Sequence, residues 1–344
     1  MFYECLFKFS FESYKRKSMT TDQNTTKPYA GLSLDLDNEW SYLKAHGDPI
    51  WRNFPSYINL VIPRILSLLA EFNVKITFFI VGKDADFEKN HEALSSIVEA
   101  GHSVGNHSQN HEPWMREEAS EQEIGQAEEL LEQVTGMRPI GFRGPGYSMS
   151  NQTLKVLAQR GYKYDSSTLP SFMGPLARAY YFMNTSLNLK QKEERGTLFG
   201  TFRDGLRPLK PYLWQIGDST LTEIPVTTFP LFRVPFHFSY VLYISTYSPI
   251  LARTYWRSAL RSCRLAGIEP TLLLHSLDFL GSEDVTTLSF FPGMNMRSDV
   301  KLGRIRNYLA DLIAEHTVIS LNKYAEILQS RVKLKIKFPD FRTP

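Results

Sequence analysis

The sequence predicts an α/β fold of about seven or eight β-α units, closed or nearly closed into a barrel. Three observations carry this. Short apolar runs alternate with helical segments of roughly 10 to 18 residues, the rhythm of parallel strands joined by right-handed crossovers. The runs are almost continuously apolar, as strands buried on both faces must be. Several end in a carboxylate, histidine or arginine, at the strand ends where parallel α/β folds place their chemistry.

The elements follow in order from Tyr29. AGLSLDLD (30–37) is an apolar run that ends in carboxylates. VIPRILSLLAEF (61–72) has helical spacing, with Pro63 expected in its first turn, where a missing N–H costs nothing. KITFFIVG (75–82) is a β-branched and aromatic run closed by glycine, and HEALSSIVEAG (91–101) is a helix with a glycine stop. HSVGNH (102–107) is a short strand, and EEASEQEIGQAEELLEQVTG (117–136) an acidic amphipathic helix. IGFRG (140–144), the helix NQTLKVLAQRG (151–161) and YKYDSS (162–167) come next. The rhythm breaks over an insert at about 169–220, rich in aromatic, proline and basic residues. It resumes with LTEIPVTT (221–228), a helix around 254–267, PTLLLHS (270–276), and then helix, strand and helix over 299–330. Residues 1–28 are expected to be an extension outside the fold, and 331–344 a C-terminal tail.

Composition narrows the function classes. The 344 residues are 42% apolar and 22% charged, enough for a large core and unlike a disordered or fibrous chain. Lys plus Arg number 39 and Asp plus Glu 36, a net charge of +3 that argues against a nucleic-acid partner. Two cysteines cannot build a disulfide framework or a zinc finger; Cys263 reads as a helical core thiol. No apolar run is long enough for a membrane-spanning helix, and no secretion signal is evident. The expected location is therefore cytoplasmic, with peripheral membrane contact through the aromatic segment 229–256 as an option. The plainer reading of that segment is a core patch that packs the insert on the barrel.

Four motifs carry chemistry. Asp35 and Asp37 lie two apart on a strand and project to one side, where their repulsion calls for a metal, an arginine or both. By themselves they could equally be a capping or surface pair. His107 and His111 are four apart; on a helical turn both imidazoles reach one cation, although two structural histidines would look the same. With Asp37 they make two histidines and a carboxylate, the donor set of a catalytic zinc site with a position left open. Arg143, followed by Gly144-Pro145-Gly146-Tyr147, stands at a strand end where it could hold a carboxylate ionised, and the loop lets backbone N–H groups approach a ligand. His275 ends the run LLLH, either as a catalytic group or as a satisfied core histidine.

In this order, Asp-x-Asp, His-x-x-x-His, Arg-Gly-Pro-Gly-Tyr and Leu-x-His resemble the polysaccharide deacetylase family, carbohydrate esterase family four with the NodB-type fold. TFFIVG (77–82) and GHSVGNHSQNH (101–111) add to the likeness. The resemblance covers roughly 30–168 and 221–330. It implies a distorted (β/α) barrel of about seven parallel strands, and a metal-dependent hydrolase that removes the acetyl group from an N-acetylated sugar or glycan. Asp37, His107 and His111 would hold one divalent metal, usually zinc. Asp35 would be the general base, positioned by Arg143, and His275 the general acid, tuned by Asp165. The Tyr147 backbone N–H would face the oxyanion, Pro145 and Gly146 would line the substrate loop, and Leu273 would line the acetyl-methyl pocket. The first motif departs from the commoner adjacent-aspartate form, which leaves Glu39 as an alternative ligand to Asp37. The third is not the usual Arg-Pro-Pro form, and Asp165 lacks the tryptophan that normally accompanies it. Two alternatives stay open: a deformylase or deacetylase of a lipid-linked amino sugar at the cytoplasmic membrane face, and a catalytically silent glycan-binding relative. Among the remaining histidines, His102 reads as structural, His46, His91 and His316 as surface residues, and His237 as part of the aromatic segment.

Overall fold

A computed structural model describes residues 27–113, 117–183, 200–331 and 334–341, with isolated positions between 184 and 199. Most of the expected N-terminal extension lies outside the described residues.

The centre is a mostly parallel sheet. Strands β1 (Tyr29–Leu36), β2 (Thr77–Ile80), β3 (Ser103–Asn106), β4 (Gly141–Phe142) and β5 (Tyr164–Asp165) pair in sequence order. Beyond β5 come β7 (Ser219–Glu223) and then β6 (Tyr212–Ile216), which is antiparallel to β7; β8 (Thr271–His275) lies on the other edge of β1. β9 (Thr317–Ser320) pairs with the start of β1. After β7 the chain reaches across to β8, where Thr227 N–H donates to Thr271 O at 2.9 Å and Thr271 N–H to Thr227 Oγ1 at 2.8 Å. These bonds, rather than a continuous ladder, join the ends of the parallel run into the distorted barrel.

Helices cover the sheet: α1 (Glu39–His46), α2 (Ile58–Glu71), the short α3 (Gly82–Ala85), α4 (His91–Glu99), α5 (Ser120–Thr135), α6 (Asn151–Gln159) and α7 (Gly174–Met183). They continue with α8 (Phe238–Tyr247), α9 (Pro249–Leu265), α10 (Ser298–Glu315) and α11 (Leu321–Ser330). Their starts follow ordinary capping chemistry: Asn38, Ser150, Ser248 and Ser320 each accept a first-turn N–H through the side chain. The core lies between the helices and β1, β2 and β8, with Leu32, Leu34, Phe78, Leu272 and Leu274 all buried. Cys263 is a buried free thiol of α9, as expected, and burial pushes it up to about 12.

Five expectations change. α2 begins at Ile58, so Pro63 stands inside the helix; Ile58, Val61 and Ile62 are all buried, and that burial draws the earlier turn into the helix. The insert contributes α7 and β6, and Gly217 (φ 57°) supplies the left-handed residue between β6 and β7. The aromatic segment holds α8, with Phe238 packed 5.0 Å from Trp256. The C-terminal tail adds β10 (Lys335–Lys337) parallel to β6, and the Phe341 ring lies 5.5 Å from Trp214. His316 is buried, at 2% exposure, because α10 ends there and packs it inward.

Candidate metal centre and active site

β5, β4, β3, β2, β1 and β8 are consecutive in the sheet, so the polar residues at their C-terminal ends gather at one mouth of the barrel. Asp35 is in register with His275 on the neighbouring strand. Asn38 caps α1 immediately after Asp37 and turns the chain helical there. That turn decides between the two candidate ligands: Glu39 points away and accepts from Thr287 Oγ1 at 2.6 Å, while Asp37 faces the histidines.

Asp37, His107 and His111 are all buried, and their ligating atoms lie within 4.8 Å of one another. Asp37 Oδ1 is 2.9 Å from His111 Nε2 and 3.3 Å from His107 Nε2. His107 Nδ1 must carry a hydrogen, because it is 2.6 Å from the Arg143 carbonyl, which only accepts. In the neutral ring Nε2 then turns a lone pair toward Asp37 Oδ1, a buried oxygen that has no hydrogen-bond partner. Lone pairs converging on one buried carboxylate oxygen fit a cation, and one carboxylate with two imidazoles fits zinc. Burial pushes Asp37 up, but His111 and His107 together outweigh it and hold the carboxyl well below the usual range.

The histidine pair is not on a helix. Residues 107–111 form a loop in which Ser108 (φ 62°) and His111 (φ 48°) adopt the left-handed conformation. Its N–H groups are claimed by side chains. Ser108 N–H donates to Asn106 Oδ1 at 2.8 Å, and Gln109 and Asn110 N–H donate to Glu123 Oε2 at 3.1 and 2.8 Å. The positive φ at Ser108 and His111, outside the right-handed helical region, is what breaks a helical turn here.

Arg143 is buried and fully engaged. It donates to Asp35 Oδ1 at 2.6 Å, to Ser33 Oγ at 2.9 Å, and to Ser166 O and Oγ at 3.0 and 2.9 Å. Its guanidinium lies 4.3 Å from the Phe79 ring centroid. The Asp35 carboxylate is thus fixed at the mouth beside Asp37, His107 and His111. Leu273 is buried two residues before His275, on the same side of β8. Pro145, Gly146 and Tyr147 form a 3₁₀ turn beside the site.

Two expected roles do not fit this geometry. The Tyr147 N–H closes the turn by donating to Gly144 O at 2.9 Å, so it is not presented to an oxyanion. Asp165 does not touch His275. It accepts from Ser167 Oγ at 2.6 Å and stands in register with Glu223, and burial first, in both cases, raises these carboxyls.

The partners of His275 come instead from residues that the sequence did not single out. Ser239 Oγ lies 2.8 Å from His275 Nδ1 and donates to Asp278 Oδ2 at 3.0 Å. The His237 ring is 5.5 Å from the His275 ring, and its buried Nδ1 has no hydrogen-bond partner. Burial, and then the nearby His275 and Arg143, hold His237 well below its ordinary value. The available signal was the H-S-L-D run at 275–278, a histidine followed three residues later by an acid that caps it.

Residues 45–164 match the family model for polysaccharide deacetylases. Over that stretch, about a third of the chain, the protein is similar to polysaccharide deacetylases. The matched stretch contains His107, His111 and Arg143, while Asp35, Asp37 and His275 are brought to them by the fold. A peptidoglycan deacetylase of Helicobacter pylori is 34% identical over 116 residues, 33% of this chain and 39% of that protein. A peptidoglycan-N-acetylglucosamine deacetylase of Bacillus cereus is 36% identical over 102 residues, 29% of this chain and 36% of that protein. The chain thus spans about two fifths or less of the length of these relatives. A polysaccharide deacetylase candidate from Mycobacterium smegmatis, known as a solved structure, superposes with a TM-score of 0.60 at 23% identity, over 93% of this chain and 97% of that one. That likeness establishes the shared fold.

Proposed function

We propose that this protein is a metal-dependent amide hydrolase that removes the acetyl group from an N-acetylated sugar within a glycan. The observation that carries the reading is the convergence of Asp37, His107 and His111 beside an Asp35 carboxylate fixed by Arg143, with His275 on the adjoining strand. Asp37, His107 and His111 would hold a divalent metal, zinc by its donor set, which when bound polarises the amide carbonyl and acidifies a water. Asp35 gives one oxygen to Arg143 and takes the water's proton on the other. His275 has its Nδ1 committed to Ser239, so Nε2 is the atom that delivers a proton to the leaving nitrogen as the C–N bond breaks. Leu273, apolar and on the same side of β8, suits the acetyl methyl. Because the bacterial relatives are peptidoglycan deacetylases, one of them acting on N-acetylglucosamine, an N-acetylglucosamine residue of peptidoglycan is the first substrate to assay.

The test is acetate release by Asp35→Asn and His107→Ala, with folding checked by circular dichroism. Both should lose at least roughly a hundredfold, the scale of a positioned acid or base. Full activity in both would contradict the mechanism.

A second reading, a lipid-linked amino sugar approached at a membrane surface, draws on the aromatic segment. Phe236, Phe238 and Trp256 are core, but Leu231, Phe232, Tyr247 and Ile250 are exposed large apolar side chains. None of the helices among the described residues is long and apolar enough to cross a membrane. Sedimentation with anionic liposomes tests this reading; absence of binding, with turnover of soluble oligosaccharides, would dismiss it.

A further inference from the structure

We infer that Ser239 and Asp278 form a relay that positions His275 as the general acid, a role that this chain assigns to its aromatic segment and not to Asp165. The inference rests on the deacetylase reading and adds two positioning residues to it.

The geometry runs through one hydroxyl. Asp278 Oδ2 accepts two hydrogen bonds, from the His275 backbone N–H at 2.8 Å and from Ser239 Oγ at 3.0 Å. With its hydrogen turned to Asp278, Ser239 Oγ presents a lone pair to His275 Nδ1 at 2.8 Å. In the imidazolium Nδ1 gives its hydrogen to Ser239 Oγ, and Nε2 is the nitrogen that exchanges protons at the mouth of the barrel. The buried Asp278 carboxyl orients the imidazole through the hydroxyl between them, as a third group orients the base in catalytic triads. When the C–N bond of the substrate breaks, its electron pair goes to nitrogen, which takes the proton from Nε2. The imidazole left behind is neutral and already holds the tautomer that Ser239 selects.

The surroundings fix this arrangement. Ser239 lies in the first turn of α8, and Phe238 beside it is fully buried against Trp256, which sets the rotation of the helix. Asp278 lies in the 3₁₀ turn that follows β8, so strand and relay are a single local unit. Asp165, by contrast, is occupied by Ser167 and Glu223 two strands from β3.

General-acid help matters for an amine, a poor leaving group, and little for a nitrophenolate, which departs unprotonated. The test compares kcat for an N-acetylated glycan oligomer with kcat for 4-nitrophenyl acetate in the zinc-loaded full chain. In Ser239→Ala the glycan-to-ester ratio should fall roughly 10- to 100-fold, part of the usual worth of a positioned acid. Ser239→Thr, which keeps the hydroxyl, should recover most of that ratio, and Asp278→Asn should lower it as Ser239→Ala does. If Ser239→Ala leaves the ratio as it was, whether both activities persist or both fall together, the relay is overturned. If the unmodified protein hydrolyses neither compound, or only the ester, the deacetylase reading fails and the relay falls with it.

Discussion

Glu123 holds the loop that carries both histidines, although it never touches the proposed metal. Its carboxylate accepts Gln109 and Asn110 N–H through Oε2 and Asn110 Nδ2 through Oε1, at 3.1, 2.8 and 2.6 Å. The loop contains two non-glycine residues in the left-handed region, Ser108 and His111, each costing about 1–2 kcal/mol. Hydrogen bonds to a charged partner contribute about 1.5–3 kcal/mol each, so three of them exceed that strain by a few kcal/mol. Glu123→Ala removes all three and leaves two inward N–H groups without their acceptor. If about 2–3 kcal/mol of that must be restored each time His111 is brought to the metal, zinc affinity falls roughly 30- to 100-fold, at 1.4 kcal/mol per tenfold. Glu123→Gln keeps one acceptor oxygen and should lose about tenfold. The assay is zinc competition against a chromophoric chelator, paired with a thermal melt to confirm that each variant is folded. A folded Glu123→Ala protein that binds zinc as tightly as the unmodified one would refute the reasoning.

Two more predictions concern other parts of the barrel. A Cβ at Gly144 would lie 1.9 Å from the Ser148 carbonyl oxygen, a backbone atom, so Gly144→Ala must displace the Arg143–Tyr147 loop. It should cost about 1–3 kcal/mol in denaturant unfolding and lower turnover at least severalfold; an unchanged midpoint would show that the loop is slack. Asp165 and Glu223 both have raised values in the folded protein, so between the ordinary carboxylate value of about 4 and those raised values the folded state binds protons that the unfolded state has released. The stabilisation is complete on the acid side and is lost as pH rises through the folded values. Glu223→Gln should therefore flatten the fall in unfolding free energy with rising pH, and parallel curves for the two proteins would contradict this reasoning.

The main strands were legible because their signal is local. β1, β3 and β8 end at Leu36, Asn106 and His275, and strand periodicity alone puts Asp35 and Asp37 on one side. The candidate metal ligands stand out for the same reason, although their local conformation does not. Spacing of four suggested a helix, whereas Glu123, a dozen residues on, ties residues 107–111 into a loop. Long-range partners were the harder part. Whether His275 is served by Asp165 or by Asp278 depends on where α8 inserts Ser239, and aromatic-rich residues 229–256 show no period that reveals a helix. Asn38 was also decisive, since its cap on α1 turns Glu39 away from the site. The pairing of β10 with β6 was hidden because Lys335, Ile336 and Lys337 are all exposed and form an edge strand without a buried face.

The most direct test of the central claim is the metal content of the purified protein, followed by acetate release from N-acetylated glycan fragments before and after chelation. The account predicts about one equivalent of a zinc-like ion, with release that stops on chelation and returns on reloading. Release that continues unchanged in a protein shown to be metal-free would contradict it.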